Sequence, residues 1–417
     1  MTRFAILLAG AALLAAAPAG AQSLREAIAA AYVTNPELAE ARARQNALEE
    51  APEQARAEGR PTLSADAGAG YDNLGLGNTG SANVRVALPI WTGGRISSAV
   101  RAAGADVAAG EQRVRDREAA VLERVVFAYA DLLFAQEAVE VARIGIERLE
   151  RQVDEAQSRF DLGQATRTDV AQLRAQRAGV VGNLADAEAA LESAAAAYRA
   201  VVGQDPGALE SDVADPRALP DDLKTARLSA EAANPLLLEQ QRIADSSAAR
   251  IDRARAERAP FLDLAGGYGR GTQLSGGSFR AFESAASVGL SLRVPIFTGG
   301  FLPSRVREAE ATHRADLFAI VVEERETIRA VDTAWASLEA ARLRADASEE
   351  GLEAAQLALD GVRAEYEFGL RSTLDILIAE QSFRGAQLAL ARARSDVLIA
   401  QAGLLRASGL LDRGAYL

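Results

Sequence analysis

Two aspartates stand at matched places in the sequence, each three residues after a hydroxyl side chain. Asp169 follows Thr166, and Asp375 follows Ser372. This spacing fits a capping box, in which a hydroxyl and a carboxylate satisfy the free amide groups at the start of a helix. Carboxylates that are brought close together could also attract cations. The pattern therefore allows a structural role, a role in charge selection, or both.

Residues for catalysis or cofactor binding are scarce. The sequence contains one histidine, His313, and no cysteine. His313 falls in a helical segment without a Ser, Cys or carboxylate motif beside it, so we expect a surface residue. The glycine-rich run GGYGRG at 266–271 lies in a strand pattern rather than at a strand-to-helix turn, which argues against a phosphate loop. An enzyme is the least favoured class, and we predict no cofactor and no metal site.

The two aspartates lie in two copies of one unit. Residues 88–94 read LPIWTGG and residues 294–300 read VPIFTGG, and the glycines before the two aspartates, Gly163 and Gly369, keep the same spacing of 206 residues. A third pair, TNPEL at 34–38 and ANPLL at 233–237, opens each copy. Repetition on this scale indicates duplication of one structural unit. We assign residues 22–206 to the first copy, 207–232 to a linker, 233–411 to the second copy and 412–417 to a tail.

Each copy is predicted to contain a β-hairpin, at about 61–91 and at about 261–296. Apolar and polar residues alternate from Ala286 to Val294, and the same period recurs from Leu63 to Tyr71. Strands of about 9–11 residues can cross a bilayer when they are tilted. A soluble hairpin packed on a core would show the same pattern, so the strands alone leave both interpretations open.

Long helices are predicted to follow the hairpins. Proline-free segments indicate helices at about 95–161 and 301–367, each near 100 Å long at ~1.5 Å per residue, with return helices at about 166–202 and 372–408. A further helix is expected at about 234–258, and short helices precede the first hairpin. Apolar residues recur in steps of three and four, as in a coiled coil, and the seam keeps its phase in both copies. Phe160 and Tyr366 lie on this seam, so we expect both rings in a core.

The N-terminus and the charge limit the location and the partners. Residues 1–21 combine Arg3, an apolar run and the small-residue site Ala19-Gly20-Ala21, which predicts a secretory signal peptide. The absence of cysteine leaves no attachment point for an N-terminal lipid, so we expect a protein that is not lipidated. The net charge of −12, with a single lysine, argues against nucleic acid as a partner.

From about Gln22 to Leu411 the sequence resembles the TolC family of outer-membrane efflux and secretion channels, through the paired NP openings, PI-W/F-TGG junctions and G-x5-D turns. The resemblance implies a homotrimer in a Gram-negative outer membrane. Each protomer would give four strands to a twelve-stranded β-barrel that continues as a coiled-coil α-helical barrel across the periplasm. A periplasmic adaptor, an inner-membrane transporter and outer-membrane lipid would be the partners. The barrel-to-helix junction would contain Pro89, Gly93, Gly94, Pro295, Gly299 and Gly300.

The resemblance also implies a periplasmic gate at the two helical turns. The residues that match its members are Thr168, Asp169, Tyr366, Arg371 and Asp375. The turn residues Gly163, Thr166, Gly369 and Ser372 would contact the adaptor. A second acidic position of the family is Ile378 here, which departs from the pattern. Arg371 has Ala165 as its counterpart in the first copy, so the duplication does not require it; the alternative is a solvated turn arginine.

One other class of protein remains open, and the cargo is undetermined. A periplasmic coiled-coil adaptor is the nearest alternative, although it would normally carry one helical hairpin and a β-rich remainder. Within the channel interpretation, drugs, secreted proteins and metals are all possible cargoes. Because Cys is absent and the single Met starts the signal segment, a channel dedicated to soft metals is less favoured.

Overall fold

The computed structural model describes residues 22–72, 77–211, 213–274 and 283–416. The expected signal peptide at 1–21 and the tips of both β-hairpins lie outside these residues. In the first half of the chain the elements are α1 Leu24–Thr34, α2 Pro36–Glu49, α3 Ala51–Ala57, β1 Thr62–Asp72, β2 Gly77–Trp91, α4 Arg95–Asp161 and α5 Arg167–Val202. In the second half they are α6 Leu223–Ala233, α7 Pro235–Ala256, β3 Phe261–Leu274, β4 Glu283–Arg293, α8 Phe301–Glu367 and α9 Thr373–Ala407.

The two long helices α4 and α8 contain 67 residues each, which gives rods of about 100 Å. Each rod turns back into a return helix, so that α4 pairs with α5 and α8 pairs with α9. The two helical hairpins lie side by side through contacts between α4 and α9. Among the described residues, no helix is both long enough and apolar enough to cross a bilayer.

The main hydrophobic core lies midway along the helical part. Tyr129, Leu122 and Leu132 of α4 are fully buried there, against residues of α1, α5 and α9. The Tyr129 hydroxyl lies within hydrogen-bond distance of the carbonyl oxygens of Gln22 (3.0 Å) and Glu210 (2.8 Å). The tail packs onto the same cluster, with Ala415 buried.

The seam of the second copy is much less covered than that of the first. α4 packs against α5, α7 and α9, whereas α8 packs mainly against α7 and α9. The buried residues of α8 are Val306, Thr327, Val331, Leu338, Ala341 and Leu359. The two seams share their phase but differ in burial, because α4 lies between α5 and α9, whereas α8 lies at the edge of the protomer.

The four strands form one antiparallel sheet in the order β1-β2-β3-β4. The central pairing of β2 with β3, from Asn78 opposite Leu274 to Trp91 opposite Leu262, joins the two copies. In the described part of the chain, β1 and β4 each have a neighbour on one side only. Within the described residues, each outer strand therefore has one side without a partner strand, as at the edge of any open sheet.

One face of this sheet is apolar along all four strands. The registers place Leu63 opposite Val86, and Leu264 opposite Leu290, and residues that face each other project to the same side. Val288 is 81% exposed and Leu290 is 63% exposed. No core covers this face in the described chain, which argues against a soluble hairpin packed on a core.

The two Asn-Pro motifs connect the start of each copy to its end. Asn35 caps α2 by accepting a hydrogen bond from the Glu37 amide (2.9 Å), and its side-chain nitrogen donates to the Val201 carbonyl oxygen of α5 (2.9 Å). In the second copy, Asn234 caps α7 and donates to the Ala407 carbonyl oxygen of α9 (3.0 Å). Each asparagine is buried and links the helix that it caps to the last turn of the return helix.

The segment 207–232, assigned to a linker, contains most of a helix. α6 precedes the second Asn-Pro motif as α1 precedes the first, with Asp222 and Ser23 as their N-caps. The structure therefore shows a helix from Leu223 within the segment assigned to the linker. The sequence did not indicate this helix, because the two copies share the Asn-Pro motif but few residues of the capped helix before it.

We predict that Asn35→Ala and Asn234→Ala each lower the free energy of unfolding by about 1–2 kcal/mol, because each removes a helix cap and leaves a carbonyl unpaired. The exposed Asn183 of α5 provides the control, and its substitution by Ala should change stability by less than about 0.5 kcal/mol. Guanidinium unfolding followed by far-ultraviolet circular dichroism measures the difference. Equal effects at all three positions would contradict the assignment.

Candidate functional site

The turns between long and return helices end both rods in the same way. Gly163 has φ 76° and Gly369 has φ 74°, in the left-handed region that favours glycine. The Gln164 amide donates to the Arg159 carbonyl oxygen (2.7 Å), and the Leu370 amide donates to the Glu365 carbonyl oxygen (2.9 Å). Together with the bonds from the glycine amides, these contacts form Schellman motifs that close the helix ends.

The return helices begin with capping boxes. In the first turn, the Thr166 hydroxyl accepts from the Asp169 amide (3.2 Å), and Asp169 Oδ2 accepts from the Thr166 amide (2.9 Å). In the second turn, the Ser372 and Asp375 bonds measure 3.3 and 2.9 Å. Both aspartates therefore have a structural role within their own chain, as the spacing predicted.

These bonds lower the pKa of both carboxyl groups. The backbone amide of Thr166 is the main cause for Asp169, and the backbone amide of Ser372 is the main cause for Asp375. Each cap therefore contributes stability above the pKa of an unfolded aspartate, about 3.9. The contribution is lost as the pH falls through the lowered native pKa. Near neutral pH both side chains carry a full negative charge at the turns.

The two turns of one chain meet side by side. The Thr373 side chain of the second turn contributes to the lowered pKa of Asp169 in the first. One turn further up the rods, the Arg159 guanidinium lies 5.3 Å from the centre of the Tyr366 ring, and its Nη1 is 3.4 Å from the Tyr366 hydroxyl. The structure thus brings Asp169 and Tyr366 to the same end of the protomer, on adjoining hairpins.

Arg371 is held by its own hairpin. Its Nε donates to Glu365 Oε2 at 2.6 Å, and both side chains are about half exposed. In the described chain, Arg371 makes no ion pair with Asp169, and Thr168 is exposed without a side-chain hydrogen bond. A single chain therefore does not assemble the expected network of Thr168, Asp169, Tyr366 and Arg371, which stays a prediction for contacts between chains.

Two aromatic residues near the turns lie outside any core of the chain. Phe160 is 40% exposed and Tyr366 is partly exposed, although both continue the apolar seam. The expectation of buried rings is therefore wrong for the isolated chain. The seam loses its cover here because Ala156 is the last buried residue of α4, and the Schellman turns begin within a few residues.

Sequence reasoning missed Arg159 and Glu365 at this end of the molecule. They occupy equivalent positions in the two copies but carry opposite charges. Arg159 pairs with Glu155 in the first copy (2.8 Å), and Glu365 pairs with Arg371 in the second. The opposite charges at these equivalent positions could have been noticed from the sequence alone.

At the opposite end of the rods, paired glycines start both long helices. Gly94 and Gly300 are the N-caps, with φ 89° and 87°, and both glycines before them also have positive φ. A side chain at Gly93 would collide with Ala259, whereas the space around Gly299 is open. Packing against Ala259 therefore requires a glycine at position 93, whereas no neighbouring atom requires one at position 299.

The prolines of the two junctions occupy different positions. Pro89 lies within β2, at a bulge in the pairing with β3 between Pro89 and Trp91. β4 ends at Arg293, so Pro295 follows the strand. Proline is compatible with both sites because a bulge and a strand end need no ladder hydrogen bond from its nitrogen.

His313 has a polar partner that the sequence did not reveal. Its Nδ1 lies 2.9 Å from Ser247 Oγ of α7, in a partly buried contact. The expectation of a surface histidine without a nearby serine is therefore wrong, because α7 packs against α8. In the residues that the structure describes, no group of three or more His, Cys, Asp or Glu side chains could hold a metal ion.

Comparison with known proteins identifies the family. A family model described as outer membrane efflux protein matches residues 27–204 and 228–410, once in each copy. The outer membrane efflux protein BepC of Brucella suis is 31% identical over 97% of this chain and 89% of its own length. The outer membrane protein TolC of Escherichia coli is 26% identical over 94% of this chain and 83% of its own length.

Solved structures share the fold at low sequence identity. The Campylobacter jejuni CmeC outer-membrane channel superposes with a TM-score of 0.78 at 16% identity, covering 94% of this chain and 86% of CmeC. VceC of Vibrio cholerae gives 0.74 at 21% identity, covering 93% and 96%. The resemblance to TolC channels and the internal duplication are thus confirmed. The chain belongs to the outer membrane efflux protein family, the TolC family of outer-membrane exit ducts.

Proposed function

We propose that three copies of this chain form an exit duct in a Gram-negative outer membrane, with the helical rods in the periplasm and a gate at their turns. The sheet carries this proposal: in the described chain its apolar face is uncovered, and its outer strands β1 and β4 each pair with one strand only. Free edges are not stable in lipid, because their backbone groups find no hydrogen-bond partners there. Four strands from each of three chains, twelve in all, would close a barrel and remove every edge.

The exposed surface of α8 supports contact with a second copy. Phe318 is 72% exposed and Val322 is 60% exposed. The equivalent positions of α4 are the polar residues Gln112 and Asp116. Because α8 lies at the edge of the protomer, this added apolar surface supports packing against the first hairpin of a neighbour.

The gate would use the charged residues of the turns. Exposed ion pairs such as Arg371 with Glu365 contribute little to stability because water and salt screen them, so Arg371 can exchange its partner. In the assembled mouth, we propose that Arg371 binds Asp169 of a neighbouring chain, with Thr168 and Tyr366 beside it. Asp375 would form a ring of three carboxylates around the axis, which favours cations.

The partners would be a periplasmic adaptor and an inner-membrane transporter, and the duct itself would carry out no reaction. The turn residues Gly163, Thr166, Gly369 and Ser372 are exposed at the far end of the rods, where an adaptor could reach them. Names of relatives refer to different cargoes: alkaline protease secretion for AprF and pyoverdine export for OpmQ, both of Pseudomonas aeruginosa. The cargo would therefore be set largely by the transporter.

Val288→Arg tests the membrane face of the sheet. Val288 lies near the middle of β4 on the apolar face, where a buried cation in lipid costs about 2–4 kcal/mol. We expect loss of the heat-resistant trimer from outer-membrane extracts. Ser287→Arg, one residue away on the polar face, should leave it intact. Recovery of the unaltered protein as a soluble periplasmic species would favour the adaptor class instead.

Arg371→Ser and Asp169→Asn test the gate. We expect each variant to raise single-channel conductance in planar bilayers without lowering the heat stability of the trimer. Asparagine keeps an oxygen that can cap α5 but removes the charge, so a change in conductance reports the interaction between chains rather than loss of the cap.

Glu365→Gln is the matched control for this experiment. It breaks the pair within the chain but leaves Arg371 free to bind Asp169, so conductance should stay at or below that of the unaltered protein. If Glu365→Gln raised conductance as Arg371→Ser does, the contact within the chain, and not the proposed one between chains, would hold the mouth shut.

A further inference from the structure

A buried carboxylate lies between the two helical hairpins, above the turns. Glu380 is on the second turn of α9, and only 2% of its side chain is exposed. Next to it, Leu377 packs into the cluster of Leu149, Ala156 and Leu173 from the other hairpin. The cost of removing a carboxylate from water at such a position must be offset by hydrogen bonds and by a nearby positive charge.

One oxygen of Glu380 joins three helices. Oε1 accepts a hydrogen bond from Nε2 of Gln152 on α4 (2.7 Å) and another from Nη2 of Arg363 on α8 (2.9 Å). Gln152 belongs to the first hairpin, and Arg363 and Glu380 belong to the second. The bond from Gln152 is therefore a direct polar link between the hairpins in the interior of the protomer.

The surrounding residues keep the carboxylate in place. Arg384, one turn along α9, has its Nη1 3.9 Å from Glu380 Oε2, too far for a hydrogen bond. Arg384 is 13% exposed, and its aliphatic part crosses α4 at Gly145, where an added Cβ would lie 3.0 Å from its Cδ. The second oxygen of Glu380 is buried without a hydrogen bond, so the contacts of the first oxygen hold the group.

The first copy uses the equivalent positions in a different way. Gln157 and Arg174 correspond to Arg363 and Glu380, and they also form a hydrogen bond, of 3.0 Å. This bond is exposed and contains no carboxylate. Duplication alone therefore explains a contact between long and return helix but not the buried acid.

The equivalent of Gln152 in α8 is Ala358, which is exposed. In an assembly of copies, Ala358 of α8 would face the α5 helix of a neighbour near Arg174. An alanine provides no hydrogen bond there. The link through Glu380 is thus specific to the joint inside one protomer.

We propose that Glu380 is a positioning residue for the periplasmic mouth: through Gln152 and Arg363 it fixes the α8–α9 hairpin to the α4–α5 hairpin of the same chain. It thereby holds Arg371 and Asp375 at a set distance from Asp169. This inference rests on the proposed gate. Release of the link would let the second turn move away from the first and widen the mouth.

Gln152→Ala is the main test, because it removes the link between hairpins and leaves the pair of Arg363 with Glu380 in place. Glu380→Gln is the second variant and removes the charge. Arg174→Ala, at the equivalent exposed position of the first copy, is the control. Single-channel conductance in planar bilayers and heat stability of the oligomer are measured for all three.

A distance measurement provides a readout that does not depend on conduction. The sequence contains no cysteine, so Arg167→Cys and Ile378→Cys, both at exposed positions near the turns, accept one spin label each. Labelled chains are diluted with an excess of unlabelled chains, and pulsed electron resonance then gives the distance between the hairpins of one protomer.

We expect Gln152→Ala and Glu380→Gln to raise conductance several-fold and to shift the label distances to longer and broader distributions, while Arg174→Ala changes neither. Unchanged distances and conductance in Gln152→Ala would overturn the proposal even if Glu380→Gln failed to fold. If the unaltered protein formed no channels, the proposed duct would fail, and the distances alone would still decide whether Glu380 links the hairpins.

Discussion

Pairing of β2 with β3 is the constraint on which the rest of the structure depends. It joins the two copies in one sheet, so that both long helices leave the sheet at the same end and run together for about 100 Å. The same pairing places β1 and β4 at the outside, where each has a single neighbouring strand among the described residues. The sheet of one chain is therefore open on both sides.

Duplication gives the two copies the same order of helices and strands, but the helices of each copy pack against different neighbours. α4 lies between α5 and α9 and is buried on several sides, whereas α8 has one side without cover in the described chain. Apolar Phe318 and Val322 in α8 replace polar residues of α4, which suits a surface between chains. The buried acid Glu380 replaces an exposed arginine, which suits a fixed joint within one chain.

At the turns, one set of residues combines a structural role with a proposed functional one. The capping boxes keep Asp169 and Asp375 ionised and fix their direction, because backbone amides hold each carboxylate. Arg371 has only an exposed partner, Glu365, and can exchange it. Acids fixed by backbone amides, beside an arginine whose only ion pair in the described chain is exposed, suit the proposed gate, which closes by contacts between chains and opens without unfolding the helices.

The sequence alone determined the family, the duplication, the long helices and the capped turns. These features depend on local patterns: glycines at helix ends, hydroxyl–carboxylate spacing and apolar periods of two or about three and a half residues. The tertiary structure decided which side chains are buried and which residues contact each other. The cover of α8, the exposure of Phe160 and Tyr366, the contact of Ser247 with His313 and the link from Glu380 to Gln152 depend on how distant helices pack. Residues 228 positions apart in sequence form that last bond, and no local pattern encodes which helices will be neighbours.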